Sequence, residues 1–462
     1  MKKAENHGST PAHAKIYRLQ HQDVKWILNL MNIRVHTSKK LEGIITPPGD
    51  KSISHRAALL NSIATGTSHV SNFCVGDDRT SMFGCLKGLG VKIERHTDCK
   101  ISGDAECFKI LGEGLHGMAE PQDVLNAGNS GTTMRLVSGL LAGLNFFSVI
   151  TGDESLRKRP MGRITTPLRK MGAVIDGRNN GSLAPLSFHP ASLSGIEYTL
   201  PVASAQLKSC ITIAGLFAEG DTVIHQPAES RDHTERMLSS MGANLRREKL
   251  TITVSSSDLQ AKNVRVPCDI SGSAFWLVAA CCHQNASITL KNVGMNPTRT
   301  GVIEVLKAMN ANISISNARD EGGEPVADIT AVSSEMKGIN INGPIIPRVV
   351  DELPIISLAA CFAAGKTRIQ DASELRVKES DRIKATVNNL TKLGAVISEL
   401  DDGMVITGGK QLNGTELPSY GDHRIAMTNG IAGLVSTGTT TVLDSEVASV
   451  SYPSFWETLG NL

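Results

Sequence analysis

Lysine and arginine residues stand at the points in this sequence where helices are predicted to begin. A cation at a helix N-terminus opposes the helix macrodipole and costs stability, unless an anion is held between the two. Helix N-termini and arginine forks are the usual means by which proteins hold phosphate and carboxylate groups. N-capping explains the Ser, Asn and Asp residues at the same places, but it does not explain the cations. The cations therefore predict a cleft that binds more than one anionic group. They are Lys51, Arg56, Arg135, Arg159, Arg231, Lys378, Arg382 and Arg424.

Two acidic residues, Asp351 and Glu379, stand among these cations. A carboxylate placed beside bound anions can accept or donate a proton during a reaction. The combination favours an enzyme that acts on small polyanionic molecules. A regulator that only binds polyanions would keep the cations without needing both acids, and it is the alternative interpretation of the same cleft.

The helices and strands that position these side chains are indicated by a short sequence pattern that occurs six times. Apolar residues three apart are followed by Gly or Asn, as in 86–90 and 390–394, and an alternating stretch follows in five copies. The first part is the end of a helix, because the residue after a helix often needs left-handed dihedral angles. The alternation is typical of a strand. The spacing of about 75 residues indicates a structural repeat.

Each repeat also contains an upstream helix that is rich in small apolar residues, such as 277–282 and 358–364. A helix that is apolar on all sides is a buried helix. The unit is therefore interpreted as a buried helix, a strand, an amphipathic helix and further strands, which makes the fold class α/β. Units of this length favour closed domains over an open superhelix.

The last repeat stops at its helix, because Leu462 ends the sequence. Residues 33–45 alternate like strands without a helix of their own, so we expect them to complete that repeat. The predicted domains are residues 33–49 together with 268–462, and an inserted domain of residues 50–267, with the active site in the cleft between them. Two domains also suit the length of the chain. Residues 1–32 are predicted to be an N-terminal appendage without an assigned function.

The composition excludes several classes of protein. A net charge of +2 and 4% aromatic residues give neither the electrostatic footprint nor the stacking surfaces of a nucleic-acid-binding protein. No apolar run is long enough for a transmembrane helix. The nine cysteines include no C-x-x-C pair and are interpreted as buried small hydrophobic residues in a reducing compartment. No Cys and His set has the spacing of a zinc site. A cytoplasmic enzyme is expected.

Four motifs, in this order, resemble the 5-enolpyruvylshikimate-3-phosphate synthase family, also called the 3-phosphoshikimate 1-carboxyvinyltransferases. They are residues 49–56, 129–135, 376–382 and 422–424. The resemblance extends from about residue 33 to 462, and three further segments are similar to the class II branch of the family. These are residues 204–208, 231–235 and 296–299.

The resemblance implies two domains, each built from three βαβαββ units as an inside-out α/β barrel, which close on the substrates. It implies transfer of the enolpyruvyl group from phosphoenolpyruvate to the 5-hydroxyl of shikimate 3-phosphate, with release of phosphate through a tetrahedral intermediate. That reaction belongs to the shikimate pathway of aromatic amino acid and chorismate biosynthesis. No metal ion and no organic cofactor is implied, and we expect a monomer whose partners are these two small molecules.

The resemblance also assigns residues to the substrates. Those implied to bind shikimate 3-phosphate are Lys51, Ser52, Arg56, Ser204, Gln206, Arg231, Asp351 and Lys378. Those implied to bind phosphoenolpyruvate are Lys51, Gly131, Arg159, Gln206, Arg382 and Arg424. Asp351 is the expected base on the hydroxyl, and Glu379 is the candidate acid for the vinyl carbon, with Lys51 as its rival. Val450 falls where class I members carry a lysine that contacts phosphoenolpyruvate, so no residue is assigned there.

Two alternatives remain at this stage. The related UDP-N-acetylglucosamine enolpyruvyl transferases share the donor, but they carry a reactive cysteine in the loop that here spans residues 152–160 and contains none. A non-catalytic repeat scaffold would need an exposed apolar face on its outer helices, whereas 390–393 and its counterparts are amphipathic.

Overall fold

A computed structural model describes residues 28–29, 32–97, 99 and 103–462 of the chain. Most of the predicted N-terminal appendage, residues 1–27 and 30–31, therefore lies outside the described residues. Within the described ranges, no helix has the length and apolar character needed to span a membrane.

Helices and strands are interspersed along the described chain. The α-helices, α1 to α14 in chain order, span Lys51–Ser62, Asp77–Gly88, Gly131–Leu141, Gly162–Lys170, Arg178–Gly181, Ala205–Gly215, His233–Ser240, Ile270–Cys282, Gly301–Ala308, Ile346–Val349, Leu353–Phe362, Arg382–Lys392, His423–Val435 and Phe455–Gly460. The strands, β1 to β24, span Leu28–Asn29, Asn32–His36, Leu41–Ile45, Thr65–Ser71, Lys92–Thr97, Glu106–Glu113, Leu125–Asn126, Ser148–Thr151, Val174–Gly177, Leu183–His189, Glu197–Thr199, Thr222–His225, Leu245–Glu248, Thr251–Val254, Val264–Arg265, Ala286–Gly294, Asn312–Glu321, Glu324–Val332, Asn340–Ile341, Lys366–Ile369, Val396–Leu400, Gly403–Thr407, Glu416–Pro418 and Thr439–Leu443.

The strands form six four-stranded sheets of one design. In four sheets, the strand before a small-residue helix runs parallel to the strand after it, and an antiparallel hairpin completes the sheet. In the other two sheets the parallel strands are exchanged, because β15 before α8 pairs with β4, and β3 before α1 pairs with β16. The unit β19–α11–β20–α12–β21–β22 shows the design, with β19 parallel to β20 and β22 antiparallel to both of its neighbours. The predicted α/β fold with βαβαββ repeats is therefore confirmed.

The repeated sequence pattern forms the local structure that its residues predict. The residue after the amphipathic helix has a positive φ in five repeats, namely Gly90, Gly172, Gly242, Asn310 and Gly394. Left-handed backbone is inexpensive for Gly and tolerated by Asn, so these residues end the helix and turn the chain into the following strand.

The small-residue helices are buried along their length. In α8, every residue from Ile270 to Cys281 is buried, and α13 is buried from His423 to Leu434. Such helices bring their N-termini and capping side chains to the interior of the molecule, where a site can be built from them.

Two strands far apart in sequence complete the first and last sheets. β2 pairs antiparallel with β24, with Ile33 opposite Val442, so the N-terminal hairpin completes the sheet of the sixth repeat. β15 lies parallel to β4, with Val264 opposite Val70. One hydrophobic core uses residues 33–45 and 270–459, and the other uses residues 53–266. The division into a discontinuous and an inserted domain stays a prediction, which these two cores support.

The chain crosses between the two cores twice, and the crossing segments are hydrogen-bonded to each other. The amide of Asp50 donates to the carbonyl of Pro267 at 2.8 Å, and the amide of Asp269 donates to the carbonyl of Pro48 at 2.9 Å. Asp50 and Asp269 then cap α1 and α8. The first helix on each side of the crossing is therefore fixed to the same short backbone junction.

The prediction for the cysteines is wrong at one pair. Cys99 and Cys107 form a disulfide bond, with their Cα atoms 5.6 Å apart. The cause is the β5–β6 hairpin, which places Cys107 opposite His96 and so brings Cys99 within bonding distance. Of the other seven cysteines, all in the described part of the chain, six are buried as predicted and Cys282 is half-buried.

Candidate active site

One cavity of about 290 Å³ gathers the side chains that the sequence analysis assigns to a site. It is lined from both hydrophobic cores. The assigned residues on its wall are Lys51, Ser52, Arg56, Gly131, Arg159, Ser204, Gln206, Arg231, Asp351, Lys378, Glu379, Arg382 and Arg424.

Helix N-termini build much of the wall. Asp50, Ser130, Ser204 and Asp422 each accept a hydrogen bond from a backbone amide in the first turn of α1, α3, α6 and α13. Each cap fixes the start of its helix, and the side chains of the first turn then face the cavity. The four partly positive helix ends make the cavity attractive to anions.

Lys51 forms an ion pair that the sequence did not predict. Its ammonium lies 2.8 Å from the carboxylate of Asp78 in the first turn of α2. Burial lowers the pKa of Lys51, but the attraction of Asp78 outweighs it and the pKa is raised. For Asp78, burial raises the pKa, but the attraction of Lys51 and His55 lowers it by more than burial raises it. The carboxylate is therefore held ionised. Lys51 therefore carries its proton into the cavity.

Asp351 lies among three cations. Arg231 donates a hydrogen bond to one of its oxygens across the boundary between the two cores. A nitrogen of Arg382 lies 3.3 Å from the other oxygen, and the ammonium of Lys378 lies 3.7 Å from it. Burial raises the pKa of Asp351, but the surrounding cations, Lys378 and Arg231 foremost, hold it well below its usual range.

Arg382 is the most enclosed cation of the site, with 1% of its surface exposed. Its guanidinium bonds Asp422 at 2.8 Å and Glu379 at 2.7 Å, in addition to its contact with Asp351. Burial raises the pKa of Glu379, but the positive charges of Arg382 and Lys51 lower it more, so this carboxylate is also ionised. Arg424 lies beside this group, 3.7 Å from Glu352.

The start of α3 carries the other group of polar contacts. Arg159 donates to the side chain of Asn129 at 2.6 Å, and Arg135 donates to Gln206. Gln206 donates to Thr132 at 3.0 Å. Gly131 lies between the two arginines and leaves room for a ligand there.

Most of the hydrogen-bond donors of Arg56 are used within the protein. Its guanidinium donates to Thr234 at 2.6 Å, to Ser209 at 2.8 Å and to the carbonyl of Ser52 at 2.9 Å. Burial lowers the pKa of Arg56 to about 10. Its remaining N–H groups are the ones available to a ligand.

Several cavity residues were not assigned to a substrate from the sequence. Arg135 was predicted only as one of the cations of the cleft, and His423 was within reach because it stands in the motif of residues 422–424. Burial lowers the pKa of His423 to about 3, so its imidazole is neutral. Arg299, in the segment 296–299, also lines the cavity. Asp78 and Arg163 line it as well, and no local pattern singles these two out. Val450 is on the wall as an apolar residue. In the described ranges, no three His, Cys, Asp or Glu side chains are grouped as metal ligands.

The structure consists of six βαβαββ repeats. Helix N-termini, arginines and ionised carboxylates line a cavity between its two cores. These features define an α/β protein suited to binding polyanions. The particular family follows from comparison with known proteins. The sequence profile of EPSP synthase (3-phosphoshikimate 1-carboxyvinyltransferase) matches residues 35–459, and the chain belongs to that family.

Individual relatives agree with the family match. The 3-phosphoshikimate 1-carboxyvinyltransferase of Roseiflexus castenholzii is 50% identical over 433 residues, which are 92% of this chain and 99% of that protein. The protein of the same name from Desulforudis audaxviator is 49% identical over 433 residues, 94% of this chain and 99% of that one. An EPSP synthase structure from Acinetobacter baumannii superposes with a TM-score of 0.84 at 42% identity, covering 93% of this chain and 98% of that one.

Proposed function

We propose that this chain transfers the enolpyruvyl group of phosphoenolpyruvate to the 5-hydroxyl of shikimate 3-phosphate and releases phosphate, as a step of aromatic amino acid biosynthesis. The observation that carries the proposal is the single cavity in which ionised Asp351 and Glu379 lie among cations from both cores. The membership of the EPSP synthase family supports the same reaction. We further propose that the protein acts in the cytoplasm as a monomer, without metal or organic cofactor.

The proposed binding roles follow the two ends of the cavity. Shikimate 3-phosphate takes the part lined by Ser52, Arg56, Ser204, Arg231 and Lys378. Phosphoenolpyruvate takes the part lined by Gly131, Arg159, Arg382 and Arg424, and Lys51 and Gln206 lie between the two. Each substrate carries a negatively charged phosphate. The positive side chains that line both parts of the cavity offset the repulsion between the two phosphates.

The proposed chemistry is an addition followed by an elimination. The 5-hydroxyl oxygen bonds to the central carbon of phosphoenolpyruvate while its proton passes to Asp351, and the vinyl carbon gains a proton to become a methyl group. The bond from the central carbon to the phosphate oxygen then breaks, and a methyl proton is lost to restore the double bond. The arginines stabilise the charge on the departing phosphate.

The state of the titratable groups favours Lys51 over Glu379 as the proton donor to the vinyl carbon. The raised pKa of Lys51 keeps its proton in place, whereas the lowered pKa of Glu379 leaves it ionised before substrates bind. Two bound phosphates would offset the charge of Arg382 and raise the pKa of Glu379 again, because nearby negative charge disfavours the ionised carboxylate. Glu379 then fits the removal of the methyl proton, and its protonated form is the alternative donor.

The decisive experiment measures phosphate release from phosphoenolpyruvate with shikimate 3-phosphate or UDP-N-acetylglucosamine as the acceptor. Release only with shikimate 3-phosphate is the expected result. Release only with the nucleotide sugar would assign the chain to the related transferase. No release with either, together with tight binding of shikimate 3-phosphate, would indicate a regulator that uses the same cavity.

A further inference from the structure

A buried polar junction connects the two cores beside the site, outside the residues assigned to chemistry. From the inserted segment it uses Asp232 and His233 at the start of α7, and from the other core it uses Asn296 and Glu324. The side-chain amide of Asn296 donates to Asp232 at 2.7 Å and to Glu324 at 3.0 Å. The imidazole Nδ1 of His233 donates to the other oxygen of Glu324 at 2.8 Å.

The junction is enclosed. Asp232 and Asn296 are each 2% exposed, His233 is 1% exposed and Glu324 is 6% exposed. Buried polar groups of this kind contribute little stability compared with apolar residues of the same volume, but they accept only one arrangement of donors and acceptors. One amide that bridges two carboxylates therefore fixes the relative position of the segments that carry them.

The position of the junction connects it to the site. Arg231 is the residue before Asp232, and it reaches across the boundary to donate to Asp351. On the other side of Arg231, the ammonium of buried Lys208 donates to the carbonyl of Ser230 at 3.2 Å. The backbone around Arg231 is thus held from both sides. The junction holds it relative to the core that carries Asp351, together with a hydrogen bond from Arg236 of α7 to the carbonyl of Gly323 at 3.2 Å.

We propose that His233, Asn296 and Glu324 are positioning residues that place Arg231 for the acceptor substrate. The proposal rests on the proposed function. Asp232 connects the junction to Arg231, and the junction determines how far Arg231 extends towards Asp351. The donor substrate is held by arginines on other elements, so the junction acts on one substrate and not on both.

Two sets of variants, one at Asn296 and one at His233, test the proposal. Asn296→Asp replaces the bridging donor with a third carboxylate between Asp232 and Glu324. His233→Ala removes the donor to Glu324, whereas His233→Asn restores an N–H close to the position of Nδ1. Asn413→Asp is the matched charge control, because Asn413 is exposed and its backbone pairs with Thr437 and Leu393 rather than with the junction.

The readout is the KM for each substrate in steady-state phosphate release, with folding checked by thermal unfolding. A misplacement of about 1 Å can cost about a hundredfold in an enzyme reaction. We expect Asn296→Asp and His233→Ala to raise the KM for shikimate 3-phosphate by about tenfold or more, with the KM for phosphoenolpyruvate changed by less than about twofold. His233→Asn should recover most of the loss, and Asn413→Asp should match the unaltered enzyme.

The outcomes separate this proposal from the proposed function. If the unaltered enzyme turns over shikimate 3-phosphate while the folded variants keep its KM, the junction is only structural and the proposal is overturned. Equal increases in both KM values would also overturn it. If Asn296→Asp does not fold, the pair His233→Ala and His233→Asn decides by the same criterion. An unaltered enzyme without turnover of shikimate 3-phosphate would overturn the proposed function first, and this inference with it.

Discussion

Gly131 is the position where one added methyl group should separate binding from stability. It is the first residue of α3 and its backbone is not left-handed, so alanine is compatible with the helix. A Cβ there would lie 3.2 Å from a terminal nitrogen of Arg135 and 3.3 Å from a terminal nitrogen of Arg159. Both distances are shorter than ordinary contacts, so each guanidinium would have to move by a few tenths of an ångström, away from its place in the cavity.

The size of the effect follows from the contacts at stake. A hydrogen bond to a charged group contributes about 1.5–3 kcal/mol. Misalignment of one such bond from Arg159 to phosphoenolpyruvate should raise the KM for that substrate by about 10- to 100-fold, since each 1.4 kcal/mol is about a factor of ten. The same substitution should increase the free energy of unfolding by about 0.4–1 kcal/mol, because alanine restricts the unfolded chain.

The assay is phosphate release with varied phosphoenolpyruvate at saturating shikimate 3-phosphate, accompanied by urea unfolding. Gly84→Ala is the matched control, because Gly84 lies inside α2 and no atom lies within 4 Å of its added Cβ. Both variants should be slightly stabilised, and only Gly131→Ala should lose affinity. An unchanged KM in Gly131→Ala, or an equal change in both variants, would refute the placement of the donor between the two arginines.

Three further predictions concern the titratable groups of the cavity. Asp351→Asn and Glu379→Gln should each lower turnover by about a hundredfold or more while changing substrate binding less, as single-turnover kinetics and calorimetry would show; loss of binding alone would make the residues structural. Asp78→Asn should move the alkaline fall of kcat/KM for phosphoenolpyruvate to lower pH, because Lys51 loses the partner that raises its pKa; an unmoved limb would exclude that coupling. The carboxyl groups of Asp78, Asp351 and Glu379 have folded pKa values below their unfolded ones, so the stability they contribute is present above about pH 4 and is lost as the pH falls further. Urea midpoints measured at constant ionic strength should therefore fall below that pH, and Asp78→Asn should fall less steeply.

The sequence carried the repeats and the ends of the helices, because both depend on residues close together in the chain. Gly90 and Gly394 signal a helix end through their own backbone freedom, and the alternation after each predicts a strand from side-chain direction alone. The cations were also predictable, since their conflict with the helix dipole is a local property. The four family motifs then indicated that these cations belong to one site.

Pairs from distant parts of the chain were decided only by the tertiary structure. Arg231 and Asp351 are 120 residues apart, and Asn296 and Asp232 are 64 apart. The bond between Cys99 and Cys107 depends on a hairpin register that no local rule fixes. Each of these contacts exists because two cores or two strands pack in one arrangement, and packing is a property of the whole chain. The sequence by itself thus determined the repeated unit and its charged helix starts, and the fold decided which charges meet.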